Sequence, residues 1–117
     1  MIQEKLQVLR TADIIDQETM QMVLTVQSYL SDGLHISSEK METFLIHLAM
    51  ADMRRKRHED IDLQMEADLV RDIESHVRFE EAKALWLKLT QFTGSRDFDA
   101  GELDFFYLHL LALFEEG

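Results

Sequence analysis

The chain has 117 residues, 46% of them hydrophobic, enough for one domain and one core but not two. Its net charge is −11 and it has no cysteine. This argues against general binding to phosphate backbones or anionic lipid surfaces, and it excludes disulfides, thiolate catalysis and cysteine-based metal sites. No apolar run approaches the roughly 18 residues needed to span a bilayer, and Met1-Ile2-Gln3-Glu4-Lys5 lacks the pattern of a secretory signal. A cytoplasmic protein with no membrane contact and no direct nucleic-acid contact is expected.

Proline is absent and glycine is scarce. Apolar and polar residues never alternate for long, whereas helical periodicity is nearly continuous. A short helix is predicted over Gln3–Ala12. Asp16 can cap a second, whose stripe of Met20, Val23, Leu24, Val26, Gln27 and Leu30 ends at Ser31-Asp32-Gly33. Ser37 or Ser38 can cap a long helix from about Glu39 to Arg57, with Phe44, Leu45, His47, Leu48, Ala51 and Met53 facing inward. His58 to Asp62 reads as a polar loop. Further helices are predicted over Glu66–His76, over Phe79–Phe92 with Ala82, Leu85, Trp86 and Leu89 inward, and over Ala100–Glu115. Thr93-Gly94-Ser95-Arg96-Asp97 separates the last two. Short connections between five or six helices imply an all-α, compact helical bundle spanning residues 1–117 as a single domain. Most of the seven methionines read as core filler.

The chemistry-bearing residues are few. His47 and His109 each lie on an apolar helical stripe, and imidazole is the side chain that titrates near neutral pH and is also a nitrogen nucleophile. His47, Ala51 and Arg54 are spaced i, i+4 and i+7, so they share one helix face about 11 Å long. Arg54 is long enough to reach back to His47, where its charge would keep the imidazole neutral and would hold a phosphoryl group once attached. Glu102, Phe106 and His109 repeat the same spacing. Glu102 is two turns from His109, so its expected part is to stabilise the helix start. The basic run Arg54-Arg55-Lys56-Arg57 reads as cations complementing a helix C-terminus. His35, His58 and His76 are expected at the surface. A zinc site from the two histidines with Glu42 or Glu102 lacks the Glu-x-x-His or His-x-x-x-His pair that orients ligands. There is no serine elbow and no phosphate-cradling glycine loop, so no enzyme and no cofactor are expected.

The stretches His47-Leu48-Ala49-Met50-Ala51-Asp52-Met53-Arg54 and Glu102-Leu103-Asp104-Phe105-Phe106-Tyr107-Leu108-His109 resemble the paired histidine motifs of the phosphotransferase-system (PTS) regulation domain. That domain occurs in bacterial antiterminators and activators of sugar operons. The first stretch matches a histidine with a small residue four later and an arginine seven later. The second matches an acidic residue seven before a histidine. Helix order and motif separation are similar over nearly the whole chain. Ile46 and Asp104 depart from the pattern, which often has an acidic residue before the first histidine and a small residue at the second position.

The resemblance implies a stand-alone, phosphorylatable regulatory module with His47 and His109 as phosphoryl acceptors and Arg54 as phosphate partner. Its implied donors are the histidine phosphocarrier protein or an enzyme II sugar-transport component. It also implies a homodimer and action on another transcription regulator. The competing reading is a purely structural interaction module, with both histidines in a core or interface.

Overall fold

In the computed structural model, residues 2–59, 64–94 and 96–114 are described. They form six helices and no strand: α1 (Ile2–Thr11), α2 (Gln17–Ser28), α3 (Ser38–Lys56), α4 (Ala67–Glu74), α5 (Phe79–Thr93) and α6 (Ala100–Leu113). The all-α architecture is as the sequence implies. Parts of the predicted loop (Asp60, Ile61 and Asp62) and two more predicted positions, Ser95 and Glu115, lie outside the described residues.

Local rules explain most boundaries. Asp16 accepts a hydrogen bond from the Thr19 backbone N–H at 2.8 Å, and Ser37 accepts one from the Lys40 N–H, so both predicted caps form. α2 continues past Ser28 as a π-helical turn over Tyr29–Gly33, which closes the helical stretch at the predicted Ser31-Asp32-Gly33. α4 is shorter than predicted, covering Ala67–Glu74 rather than Glu66–His76. Gly101 falls inside the first turn of α6.

Two helices end on left-handed residues that are not glycine. His58 has φ 58°, and the N–H groups of His58 and Glu59 return to the carbonyls of Arg55 and Arg54. Asp13, at φ 61°, closes α1 in the same way through Arg10 and Leu9. Both are six-to-one helix closures that satisfy otherwise orphaned carbonyls. His58 therefore has a local backbone task at the surface.

A single core cluster draws residues from all six helices. α3 lies at its centre, packed on α1, α2 and α6, while α5 closes the far side against α2 and α6. Leu45, Leu48, Phe44, Leu110 and Phe106 are fully buried along the α3–α6 seam. Phe106 is the hub: the rings of Trp86, Phe98 and Phe44 lie 5.0, 5.3 and 5.8 Å from its own, two of them edge-on. This aromatic cluster sets the distance between α3 and α6, and so the reach between their polar side chains.

Candidate functional site

His47 and Arg54 rise from α3, and Glu102 and His109 from α6. The His47 ring rests edge-on against Phe106, with centroids 5.1 Å apart, which fixes its plane. At that position His47 Nε2 is 3.0 Å from Glu102 Oε1, and its Nδ1 is 3.3 Å from His109 Nε2. Arg54 donates to the same carboxylate through Nε at 2.7 Å and Nη2 at 2.9 Å. Four side chains from two helices thus form one chain, Arg54–Glu102–His47–His109.

Burial acts on every member. Glu102 is only 3% exposed. Burial alone pushes its carboxyl up, but hydrogen bonds from Arg54 and His47 outweigh it and hold the carboxyl below its ordinary value. His109 is moved the other way relative to its own charge: burial, then the neighbouring His47, hold its imidazole below the usual histidine value and favour the neutral ring. A buried arginine–carboxylate fork of this kind also resists rotation, because both carboxylate oxygens are engaged.

The histidine end of the chain opens on a groove of about 810 Å³ between α1, α3 and α6. Its walls are the apolar side chains of Val8, Leu9 and Ile46, with the Lys5–Glu42 ion pair on the rim. The Glu102 end borders a smaller pocket of about 300 Å³, lined by Arg55, His58, Asp97 and Asp99 among others.

The predicted residues are therefore brought together, but not in the expected pairs. His47 and His109 touch. Arg54 reaches the site, yet its guanidinium grips Glu102 rather than His47 directly. Glu102 does stand in the first turn of α6, as expected, but it is buried and turned into the seam with α3. The single-helix offset from Glu102 to His109 correctly separates those two, but it says nothing of a partner on another helix. His35, His58 and His76 are exposed, as expected. Among the described residues no group of three or more histidine, aspartate or glutamate side chains is arranged to hold a metal ion. No described helix is long and apolar enough to cross a membrane.

A second buried carboxylate escaped the sequence reading. Asp52 is fully buried and accepts hydrogen bonds from Thr19 Oγ1 at 2.7 Å, Arg55 Nε at 2.9 Å and Arg96 Nε at 2.8 Å. Lys56 lies 3.8 Å away and bonds Asp16, the N-cap of α2, and Glu18 in its first turn. The basic run after Met53 is thus consumed mainly by carboxylates, not by the carbonyl end of its own helix. A signal was present: Phe44, Leu48 and Asp52 are spaced i, i+4 and i+8, so Asp52 continues an apolar stripe. Glu102, Phe106 and Leu110 repeat that pattern on α6.

Comparison with protein-family models, curated proteins and solved structures finds no match for this chain.

Proposed function

We propose that the chain is a phosphorylatable regulatory module that receives phosphoryl groups on histidine and acts through protein–protein contacts, linking a sugar phosphotransferase system to transcriptional control. The observation that carries the reading is the contact between His47 and His109 at the mouth of an open groove, with Arg54 and Glu102 behind them. The resemblance to PTS regulation domains rests on these same four residues.

The physical chemistry is consistent. A neutral imidazole beside open solvent is the nucleophilic form, and Arg54, whose Nε and Nη2 hold Glu102, brings a guanidinium charge within one side chain of it that favours a phosphoryl group. A phosphoryl group adds about −1.5 to −2 charge for the common phospho-residues, with a similar change expected on histidine. Placed against an apolar groove beside a buried carboxylate, that charge changes what the groove accepts. The histidine phosphocarrier protein or an enzyme II transport component is the donor in this reading. The receiver is another regulator or a second copy in a homodimer, and the protein turns over no small-molecule substrate.

The test is incubation with phosphorylated phosphocarrier and labelled phosphoenolpyruvate. Acid-labile label on His47 or His109 is expected. Its absence with every cognate transport component supplied overturns the reading. The structural alternative draws on the edge-on packing of His47 against Phe106. It expects His47→Ala and His109→Ala to lower thermal stability while leaving partner binding unchanged.

A further inference from the structure

The hydrogen-bond chain has a direction, and the direction distinguishes the two histidines. An ionised carboxylate only accepts, so His47 must carry its proton on Nε2, facing Glu102 Oε1 at 3.0 Å. In the neutral ring this leaves a lone pair on His47 Nδ1. That lone pair faces His109 Nε2 at 3.3 Å, and two lone pairs form no bond, so His109 carries its own proton on Nε2. Only His109 Nδ1 remains. Among the described residues His109 makes its hydrogen bond through Nε2 alone, and because none of their buried side-chain nitrogens lacks a partner, the unpartnered Nδ1 is solvent-accessible, on a residue that lines the groove. Of the four ring nitrogens, three are committed and one is left for chemistry.

Resting on the proposed function, we infer that His109 accepts the phosphoryl group through Nδ1, that His47 is the residue that takes up its Nε2 proton, and that Glu102 and Arg54 position His47 for this. The atoms balance without a further reactant. The phosphorus–nitrogen bond of a donor phosphohistidine breaks, and its electron pair returns to the donor ring, which leaves as a neutral imidazole with the proton it already held on its other nitrogen. The lone pair of His109 Nδ1 forms the new nitrogen–phosphorus bond. The proton on His109 Nε2 moves to His47 Nδ1.

His47 then becomes an imidazolium between the Glu102 carboxylate and the phosphorylated ring. Glu102 favours that charge, and Arg54 keeps Glu102 ionised and fixed. This is the base-and-orienter logic of a nucleophile, a histidine and a carboxylate, with an imidazole nitrogen as nucleophile. Its consequence is exclusivity. Once the proton has moved, neither nitrogen of His47 has a lone pair to attack with, so the pair carries one phosphoryl group and carries it on His109.

The test uses the full chain, labelled with ¹⁵N, and potassium phosphoramidate as a chemical donor. Before reaction, long-range ¹H–¹⁵N spectra are expected to show Nε2–H tautomers for both rings. After reaction, alkaline mass spectrometry and ³¹P–¹⁵N coupling are expected to place the phosphoryl group on Nδ1 of His109 and none on His47, with the exposed His35, His58 and His76 as reference rates. His47→Gln retains a polar side chain but takes up no proton, so it is expected to slow modification of His109 by about tenfold or more at unchanged melting temperature. Glu102→Gln is expected to mix the His47 tautomers and slow the step as well.

The inference is overturned by phosphoryl on His47, by attachment at His109 Nε2, by no modification of His109, or by a wild-type rate in His47→Gln. Reaction at His109 Nδ1 with phosphoramidate but none from the phosphorylated phosphocarrier would refute the signalling reading and leave the proton transfer standing. Phosphoryl from the phosphocarrier on His47 would do the reverse.

Discussion

Asp52 and Glu102 are both buried carboxylates at the surface of α3, and the difference between their partners separates scaffold from site. α3 supplies cations to both: Arg54 turns to Glu102, while Arg55 and Lys56 turn toward Asp52. Successive helical residues point about 100° apart, so one basic run serves two neighbouring seams. Asp52 completes its shell with Arg96 and Thr19, which hold their protonation state at all ordinary pH values. Glu102 completes its shell with His47, whose ring meets His109, an imidazole that burial and then His47 hold below the usual histidine value. A carboxylate clamped only by fixed donors ties α2, α3 and the α5–α6 connection together. One that shares its proton donors with imidazoles can pass a change at the groove into the bundle.

The largest effect should come from breaking the clamp that has no chemical task. Asp52→Ala leaves Arg55 and Arg96 facing a buried void, and a loss of about 3–5 kcal/mol in chemical denaturation is expected. A loss under about 1 kcal/mol would mean that the Asp52 cluster is not structural. Glu102→Gln should cost less, about 1–3 kcal/mol, because glutamine keeps the shape of the side chain and an oxygen that accepts from Arg54, whereas alanine at Asp52 removes the acceptor altogether. Equal losses for the two substitutions would mean that both carboxylates are scaffold.

Acid should separate the clusters in order. His109 binds a proton less readily in the folded chain than in the unfolded one. Its stabilising contribution is therefore complete above the unfolded value of 6.5 and is lost as pH falls through the lower folded value. The carboxyls of Asp52 and Asp16 are also lowered: at Asp52 hydrogen bonds from Thr19, Arg55 and Arg96 outweigh burial, and at Asp16 the ordinary 3.8 drops to about 2 because Lys56 and Thr19 outweigh burial. Their contribution is complete above 3.8 and is lost as pH falls through the folded values. Denaturation followed against pH is expected to show a first decline below 6.5 that His109→Gln removes, and a second, opened by Glu102 below 4.5 and continued by Asp52 and Asp16 below 3.8, that it leaves intact. A His109→Gln profile that keeps the first decline would assign it elsewhere.

The smallest effect belongs to backbone alone. His58→Gly relieves a left-handed histidine at the end of α3 and is expected to raise stability by about 0.5–1 kcal/mol. Lower stability in a melting curve would give the His58 side chain a role beyond closing the helix.

The helices were legible because each is fixed locally: caps at Asp16 and Ser37, 3.6-residue stripes, and Gly94, whose φ of 68° suits the end of α5. The histidines and Arg54 were legible as residue types at suggestive offsets. What escaped was pairing. Glu102 looked like a helix-start charge because offsets along one helix cannot register a partner on another. Asp52 and Arg96 drew no notice because they are 44 positions apart and meet only when α3 and the α5–α6 connection pack together. Both carboxylates do lie on i, i+4, i+8 apolar stripes, which marks a buried charge awaiting a cation.

The sequence by itself determined an all-helical chain with one core and two imidazoles on interior-leaning faces, since periodicity, capping and the lack of cysteine and proline act within a few residues of each position. Only the tertiary structure decided that His47 stands between Glu102 and His109. Donor and acceptor directions depend on distances of about 3 Å between helices, which the Phe106 aromatic cluster sets and no spacing along the chain records.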